Sequence, residues 1–386
     1  MRRYDIDALR VIVFGLLIFY HVGMFFVPWD FHIKNSSTCI WLAYPMIFIN
    51  QWRLPLLFVI SGMGTFFNFS KRSGGGFAKE RFVRLFIPLV VGILFIVPPQ
   101  VYFERLDAGQ FTGSYFGFWP SKAFIGVYPE GNFSWHHLWF LPYLLLFSHA
   151  LIPAFHYLLK HPQAWIIRKT KILATRKFGL FVLAIPLIFW YVFLKPRFPS
   201  THGLVDDWFN IINYCTLFFY GFLLMILKDA LWENLTKNRR LYLITGIVSI
   251  TLMLFLWSGI GHFPGKGEIS DTVQAINAWS WILVTISYAA THLNKPSRKL
   301  SYANEAVYPF YILHQTVIIA LGYYLKNVDI CLFSKFSIMV AGTFGISWLM
   351  YEFGIRHYDW IRPLFGMKRR KMKKMEKNGK EIPNNQ

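Results

Sequence analysis

Apolar residues fall in long runs broken by short basic, polar or Pro/Gly-rich stretches. Ten of these runs approach or exceed the roughly 20 residues that a helix needs to cross a hydrocarbon core of about 30 Å. They cover residues 9–28, 41–69, 82–103, 137–159, 178–194, 208–227, 241–260, 273–293, 304–325 and 332–355. The pattern predicts an all-α fold, a polytopic membrane helix bundle of about ten transmembrane helices. A membrane acts as solvent only for backbone that satisfies its own hydrogen bonds, which is why apolar runs of this length are read as helices.

Composition agrees with the pattern. Of 386 residues, 55% are hydrophobic and only 15% charged, against about 25% charged in a typical soluble domain. The formal charge is +21, which in a soluble chain would point toward nucleic acid. Its distribution gives another reading. Of the 40 Lys and Arg, 30 fall in alternate connections on the side of both termini, 7 on the opposite side and 3 inside the runs. The positive-inside rule then places both termini in the cytoplasm, and no nucleic-acid partner is expected. Residues 1–367 read as one membrane domain and 368–386 as a basic, disordered cytoplasmic tail near anionic headgroups. The expected location is the inner (plasma) membrane, with lipids as partners and a homodimer left open. The first run follows Arg2 and Arg3 but carries Arg10 and His21 and has no cleavage site, so it reads as an uncleaved span.

The three cysteines, Cys39, Cys215 and Cys331, offer neither C-x-x-C spacing nor an even framework. They read as inert thiols, although Cys39 and Cys331 both fall at outer ends of runs. Motifs for phosphate loops, zinc proteases and serine hydrolases are missing. The longest outer connection, residues 104–136, carries five glycines among aromatics and reads as a cap or substrate-binding loop.

Ionisable residues inside a span are costly and mark functional positions. Arg10 and His21 are eleven residues apart, a net rotation of about 20° and a rise of about 16 Å on a helix. They share one face, Arg10 near the inner surface and His21 in the outer half. The same pair also fits an Arg10 that snorkels to headgroups and a His21 that bridges helices. Arg53, followed by Pro55 and later by Ser61-Gly62, needs an anion or several carbonyls beside it and points to a tight polar pocket. His136 and His137 are adjacent in an aromatic belt; lacking Cys or Glu at suitable spacing, they predict no metal. Tyr308, Tyr311 and His314 recur every three residues and form a polar stripe.

Together these residues resemble the family-three membrane acyltransferases. The likeness rests on Arg10 with His21, on Phe58-Val59-Ile60-Ser61-Gly62, and on Arg81-Phe82-Val83-Arg84-Leu85-Phe86-Ile87-Pro88. His137-Leu138-Trp139-Phe140-Leu141 and Tyr308-Pro309-Phe310-Tyr311-Ile312-Leu313-His314 complete it. Within that family the chain is most similar to periplasmic glucan modifiers, some of which attach succinyl groups. Arg53-Leu54-Pro55-Leu56-Leu57-Phe58, Tyr351-Glu352-Phe353-Gly354-Ile355-Arg356 and Arg362-Pro363-Leu364-Phe365-Gly366 carry that narrower likeness.

The resemblance implies transfer of an acyl group, acetyl or succinyl, from cytoplasmic acyl-coenzyme A to a hydroxyl of an extracytoplasmic saccharide or glucan. Acyl-coenzyme A is then a co-substrate, with no tightly bound cofactor. His21 is the expected general base, with Arg53 stabilising the oxyanion or an acyl carboxylate and Tyr311 and His314 completing the catalytic group. Arg10, Arg72, Arg81 and Arg84 are expected to bind the donor, and His137, Trp139 and Tyr308 the acceptor. Direct transfer and a covalent acyl-enzyme both remain open. So does a transporter or flippase for a glycan or lipid-linked precursor, although such proteins tend to show related halves that are not evident here.

Overall fold

A computed structural model describes residues 2–259, 261 and 263–370. Residues 371–386, most of the predicted tail, lie outside the described residues. The architecture is all helical, with a single isolated bridge between Val127 and Phe133 and no β-strand among the described residues. In chain order the α-helices are α1 (Tyr4–Met24), α2 (Ala43–Phe69), α3 (Gly74–Val91), α4 (Pro98–Asp107), α5 (Tyr115–Ser121), α6 (Phe140–Ala150), α7 (Ile152–Lys160) and α8 (Trp165–Thr175). They continue as α9 (Ala184–Phe189), α10 (Trp208–Ile226), α11 (Asp229–Lys237), α12 (Arg239–Trp257), α13 (Lys266–His292), α14 (Arg298–Leu325) and α15 (Leu332–Leu349).

Among the described residues, seven helical stretches are long and apolar enough to cross a membrane: Tyr4–Met24, Ile40–Phe69, Gly74–Asp107, Trp208–Ile226, Arg239–Trp257, Arg298–Leu325 and Leu332–Ile355. Helices α6 and α7 join them only if their 47° bend is counted as one span. The predicted run at 178–194 forms a shorter broken helix, Gly179–Leu194. Helix α13 is long but carries Asn277, Ser280 and Ser287, all fully buried. These three face protein and do not meet lipid.

The third span shows how the sequence shapes the site. Pro98 and Pro99 lack N–H groups, so the preceding turn loses ladder donors. Residues Gly92–Ile96 widen into a π-helical turn, and the freed carbonyls find side chains. Trp119 Nε1 donates to Leu94 O at 2.8 Å, and Thr316 Oγ1 donates to Ile96 O at 2.7 Å. The helix therefore resumes as α4, anchored to α14, and carries Gln100 and Glu104 into the outer half of the bundle.

At the centre α2 packs against α10, α1 and α13, while α14 packs between α1 and α15. The α2–α10 contact is backbone on backbone. A Cβ on Gly62 would stand 1.9 Å from Phe218 O, and one on Gly221 would stand 2.0 Å from Val59 O. Such small-residue crossings let membrane helices gain dispersion contacts where no hydrophobic force separates helix from lipid. The three cysteines are free thiols.

This crossing makes a prediction. Gly62→Ala or Gly221→Ala should each destabilise the chain by at least the ~1–3 kcal/mol of an over-packed core, read as a lower melting temperature in detergent. Gly15→Ala, whose Cβ would meet nothing within 4 Å, should leave it unchanged. Equal melting temperatures for all three would mean that the crossing does not hold the bundle together.

Candidate active site

A cavity of about 250 Å³ opens between α1, α2, α14 and the turn that begins α6. His21, Arg53, His137, Trp139 and Tyr311 all line it, so five of the residues singled out by sequence converge there. His314 sits directly behind His21, fully buried. Tyr308 and the four donor-site arginines are not among the lining residues.

The imidazoles define a direction for the proton. His314 Nδ1 lies 2.7 Å from Tyr311 O and 3.2 Å from Phe310 O. Carbonyls only accept, so Nδ1 carries the hydrogen and the Nε2 of a neutral His314 is an acceptor. His21 Nδ1 lies 2.8 Å from that Nε2 and must then be the donor. The remaining His21 nitrogen, Nε2, is left with a bare lone pair and no hydrogen-bond partner among the described residues. The two rings lie nearly parallel, with centroids 5.0 Å apart. The tautomer of His21 is thus set by the backbone of α14 through His314.

His137 is held the other way. Its Nε2 donates to Ile312 O at 3.0 Å, and Gln100 Nε2 approaches its Nδ1 at 3.4 Å. Gln100 is itself held by Thr316 Oγ1 at 2.8 Å. Tyr311 donates its hydroxyl to His137 O at 2.6 Å. Both residues therefore tie α14 to the start of α6, and Tyr311 presents its ring rather than a free hydroxyl to the cavity.

Arg53 is only 2% exposed. Its guanidinium lies 3.9 Å from the centre of the Tyr20 ring, while Nε and Nη1 have no hydrogen-bond partner. Among the described residues it forms no ion pair. A buried cation with two idle donors beside a bare imidazole nitrogen is a site built to receive an anion.

Trp139 stacks on His202 with centroids 4.1 Å apart, and both line the cavity. Asp207, fully buried, holds the His202 loop by accepting from the N–H groups of Thr201 and His202 at 3.3 and 3.2 Å, and from the Tyr143 hydroxyl. Burial keeps the His202 imidazole below its ordinary range, with Asp207 opposing, so at neutral pH it is an uncharged partner for the indole.

On the inner side, Arg10 bridges Asp7 Oδ1 at 3.2 Å and Asn304 Oδ1 at 3.0 Å. Arg81 reaches Thr65 Oγ1 at 3.0 Å, and its buried Nε has no hydrogen-bond partner. Arg84 donates to Gly366 O at 3.1 Å and accepts the Tyr308 hydroxyl on its carbonyl at 3.3 Å. Gly366 has φ +68° and no room for a Cβ against the Tyr308 ring, so the Arg362–Phe365 turn closes over Tyr308. Arg72 stands exposed nearby. Lys368 is held below its ordinary range by partial desolvation and then by repulsion from Arg84, against the pull of Glu80. Tyr308 therefore belongs with the arginines, apart from His137 and Trp139.

Sequence reasoning passes over His32, Gln100, Glu104, His202 and Gln315. His32 Nδ1 lies 2.6 Å from Glu104 Oε2, and Gln315 Nε2 lies 3.1 Å from His32 Nε2. The one available signal was the His136-His137 pair, whose first member packs on His32 with centroids 4.6 Å apart.

Comparison with known proteins gives the class of the chain. The sequence matches the family described as "Acyltransferase domain" over residues 3–352, and the chain belongs to that family: it is a membrane acyltransferase. It is similar to proteins named "Glucans biosynthesis protein C" from Salmonella paratyphi B and Salmonella agona, 24% identical over 369 residues covering 92% of both chains. The counterpart from Salmonella schwarzengrund is 24% identical over 367 residues with the same coverage. No solved structure matches.

The hydrogen-bond chain predicts the behaviour of His314. His314→Leu removes the acceptor that sets the His21 tautomer and should lower kcat by about 10²-fold or more, on the scale of a general base, with little change in the donor KM. His314→Gln retains an oxygen acceptor and should recover part of that loss. Equal kcat for the two variants, at equal yield and melting temperature, would remove His314 as the positioning residue.

Proposed function

We propose that this acyltransferase moves an acyl group from cytoplasmic acyl-coenzyme A to a hydroxyl of an extracytoplasmic saccharide, with His21 as general base. The observation that carries the proposal is the bare Nε2 of His21, set by His314, in one cavity with the unpaired Arg53. His21 Nε2 takes the proton of the acceptor hydroxyl as its oxygen attacks the thioester carbonyl. The tetrahedral intermediate is anionic, and Arg53 supplies the charge that stabilises it. The carbon–sulfur bond then breaks, and the imidazolium returns its proton to the departing thiolate. As His21 becomes cationic, its Nδ1–H bond to His314 Nε2 strengthens, backed by the Tyr311 and Phe310 carbonyls.

Trp139 with His202 offers an apolar platform for a sugar ring at the cavity. The relatives' name, with its reference to glucans, favours a glucan acceptor. The transporter reading is weaker, because a translocated anion has no use for a base held in one tautomer. The proposed topology has both termini in the cytoplasm, supported by the distribution of basic residues, with ten spans if α6–α7, Gly179–Leu194 and α13 all cross. The membrane is then the inner one. Purified protein should release coenzyme A from acetyl- or succinyl-coenzyme A only when a glucan is supplied. His21→Gln should lower that rate by about 10²- to 10⁴-fold while folding normally. A His21→Gln enzyme within a few-fold of wild type would take the base away from this residue.

Arg10, Arg72, Arg81 and Arg84 form the proposed donor site, with Asp7 and Glu80 as the nearby acids. A diphosphate contacts them alike in ground and transition states, so replacing Arg72, Arg81 and Arg84 together by Gln should raise the apparent donor constant more than it lowers kcat. In sealed vesicles, acyl-coenzyme A should support transfer only from the face that carries Arg72. Transfer driven from the opposite face would overturn both the donor site and the orientation.

A further inference from the structure

The outer side of the cavity carries a second cluster that the reaction above does not use. His32 comes from the segment after α1, Glu104 from the last turn of α4 and His136 from the turn before α6. Each brings one ligand atom to within 4.8 Å of the other two, and both histidines line the cavity. We propose that His32, Glu104 and His136 bind a divalent transition-metal ion of the zinc class, leaving one coordination position open to the cavity for an acceptor hydroxyl.

Four observations point to a ligand. First, His136 Nε2 is buried and has no hydrogen-bond partner, although its ring packs against His32 and Tyr128. Second, His136 Nδ1 lies 3.1 Å from Ser134 Oγ; with the hydrogen on Nδ1, the idle Nε2 is the lone pair a metal requires. Third, His136 adopts φ +40°, a backbone state that a residue with a Cβ holds only at a cost, and strain of this kind collects at ligand sites. Fourth, the other atoms of the cluster already have outer partners of the sort that orient metal ligands. Tyr128 donates to Glu104 Oε1 at 3.1 Å, leaving Oε2 to face His32. Gln315 holds His32 Nε2.

Two imidazoles and a carboxylate suit zinc rather than magnesium or calcium, which prefer all-oxygen shells. Three protein ligands with an open fourth position is the arrangement of zinc sites that bind a substrate oxygen. Coordination through His32 Nδ1 requires the ring hydrogen, now shared with Glu104 Oε2, to move to Nε2 with no net loss of a proton, and the Gln315 amide turns so that its oxygen accepts it.

The test is direct metal binding by the purified full chain in nanodiscs, stripped with chelator and titrated with Zn²⁺, with Co²⁺ as the spectroscopic probe. The expected result is one saturable equivalent of zinc and a cobalt visible spectrum that zinc abolishes. His136→Asn should lose the site, and Glu104→Gln should weaken it about tenfold or more. His202→Asn, which lines the same cavity outside the cluster, should bind as wild type. Wild-type protein that takes up no saturable zinc and gives no cobalt spectrum overturns the proposal, whether or not the variants fold. So does binding that survives both His136→Asn and Glu104→Gln. Failure here leaves the acyl-transfer reading intact, because that reading rests on His21 and Arg53.

Discussion

A guanidinium without an anion is the constraint around which the outer half of this bundle is arranged. Placing an arginine at the centre of a membrane helix costs about 2.5–3.5 kcal/mol on insertion scales. Arg53 recovers part of this from the Tyr20 ring, since a desolvated cation–π contact contributes up to about 2 kcal/mol. It recovers nothing from an ion pair, and two of its nitrogens remain without partners. A helix-packing role would be met more cheaply by an uncharged residue. The remaining deficit is what an anionic intermediate or a carboxylated acyl group would offset, and the cavity puts the Arg53 side chain where such a group would lie.

The second element, a histidine with one nitrogen committed and one bare, depends on α14 more than on α1. His21 and His314 are separated by 293 positions, so their contact needs the folded bundle. The priming of His314 is local, since a helical residue that turns its Nδ1 back onto the carbonyls three and four positions earlier carries its own orienting group. Pro309 precedes this turn within α14. Tyr311 locks the arrangement by spending its hydroxyl on the His137 carbonyl, which also sets the distance between α14 and the entry to α6.

What could be read from sequence divides along the same line. The helical class follows from the length of the apolar runs, and Arg10, His21 and Arg53 stand out as ionisable residues inside them, a signal carried by each residue alone. The tyrosine and histidine stripe on α14 was visible as spacing, but the separate destinations of its members were not. Tyr308 goes inward to Arg84, Tyr311 across to His137 and His314 to His21, and only tertiary contacts decide this. The polar α13 and the broken Gly179–Leu194 read from sequence as two more spans like the others, because hydropathy does not distinguish a face turned to lipid from one turned to protein.

The His32 cluster was invisible for a further reason. Metal-ligand arithmetic looks for short spacings, and here the three residues come from three segments separated by spans. Pro98 and Pro99 bring them together: by breaking the ladder of the third span they force a π-helical turn, and the helix that resumes at α4 presents Glu104 to His32. Arg105, one residue further on, then gathers the outer loop, bonding Asn132 Oδ1 at 2.9 Å and the Pro129 and Gly131 carbonyls at 2.7 and 2.8 Å. The loop so held carries Tyr128 back onto Glu104. The cap and the cavity wall are therefore one construction, because Glu104, which meets the cavity-lining His32, and Arg105, which ties down the loop, are neighbours on the same helical turn.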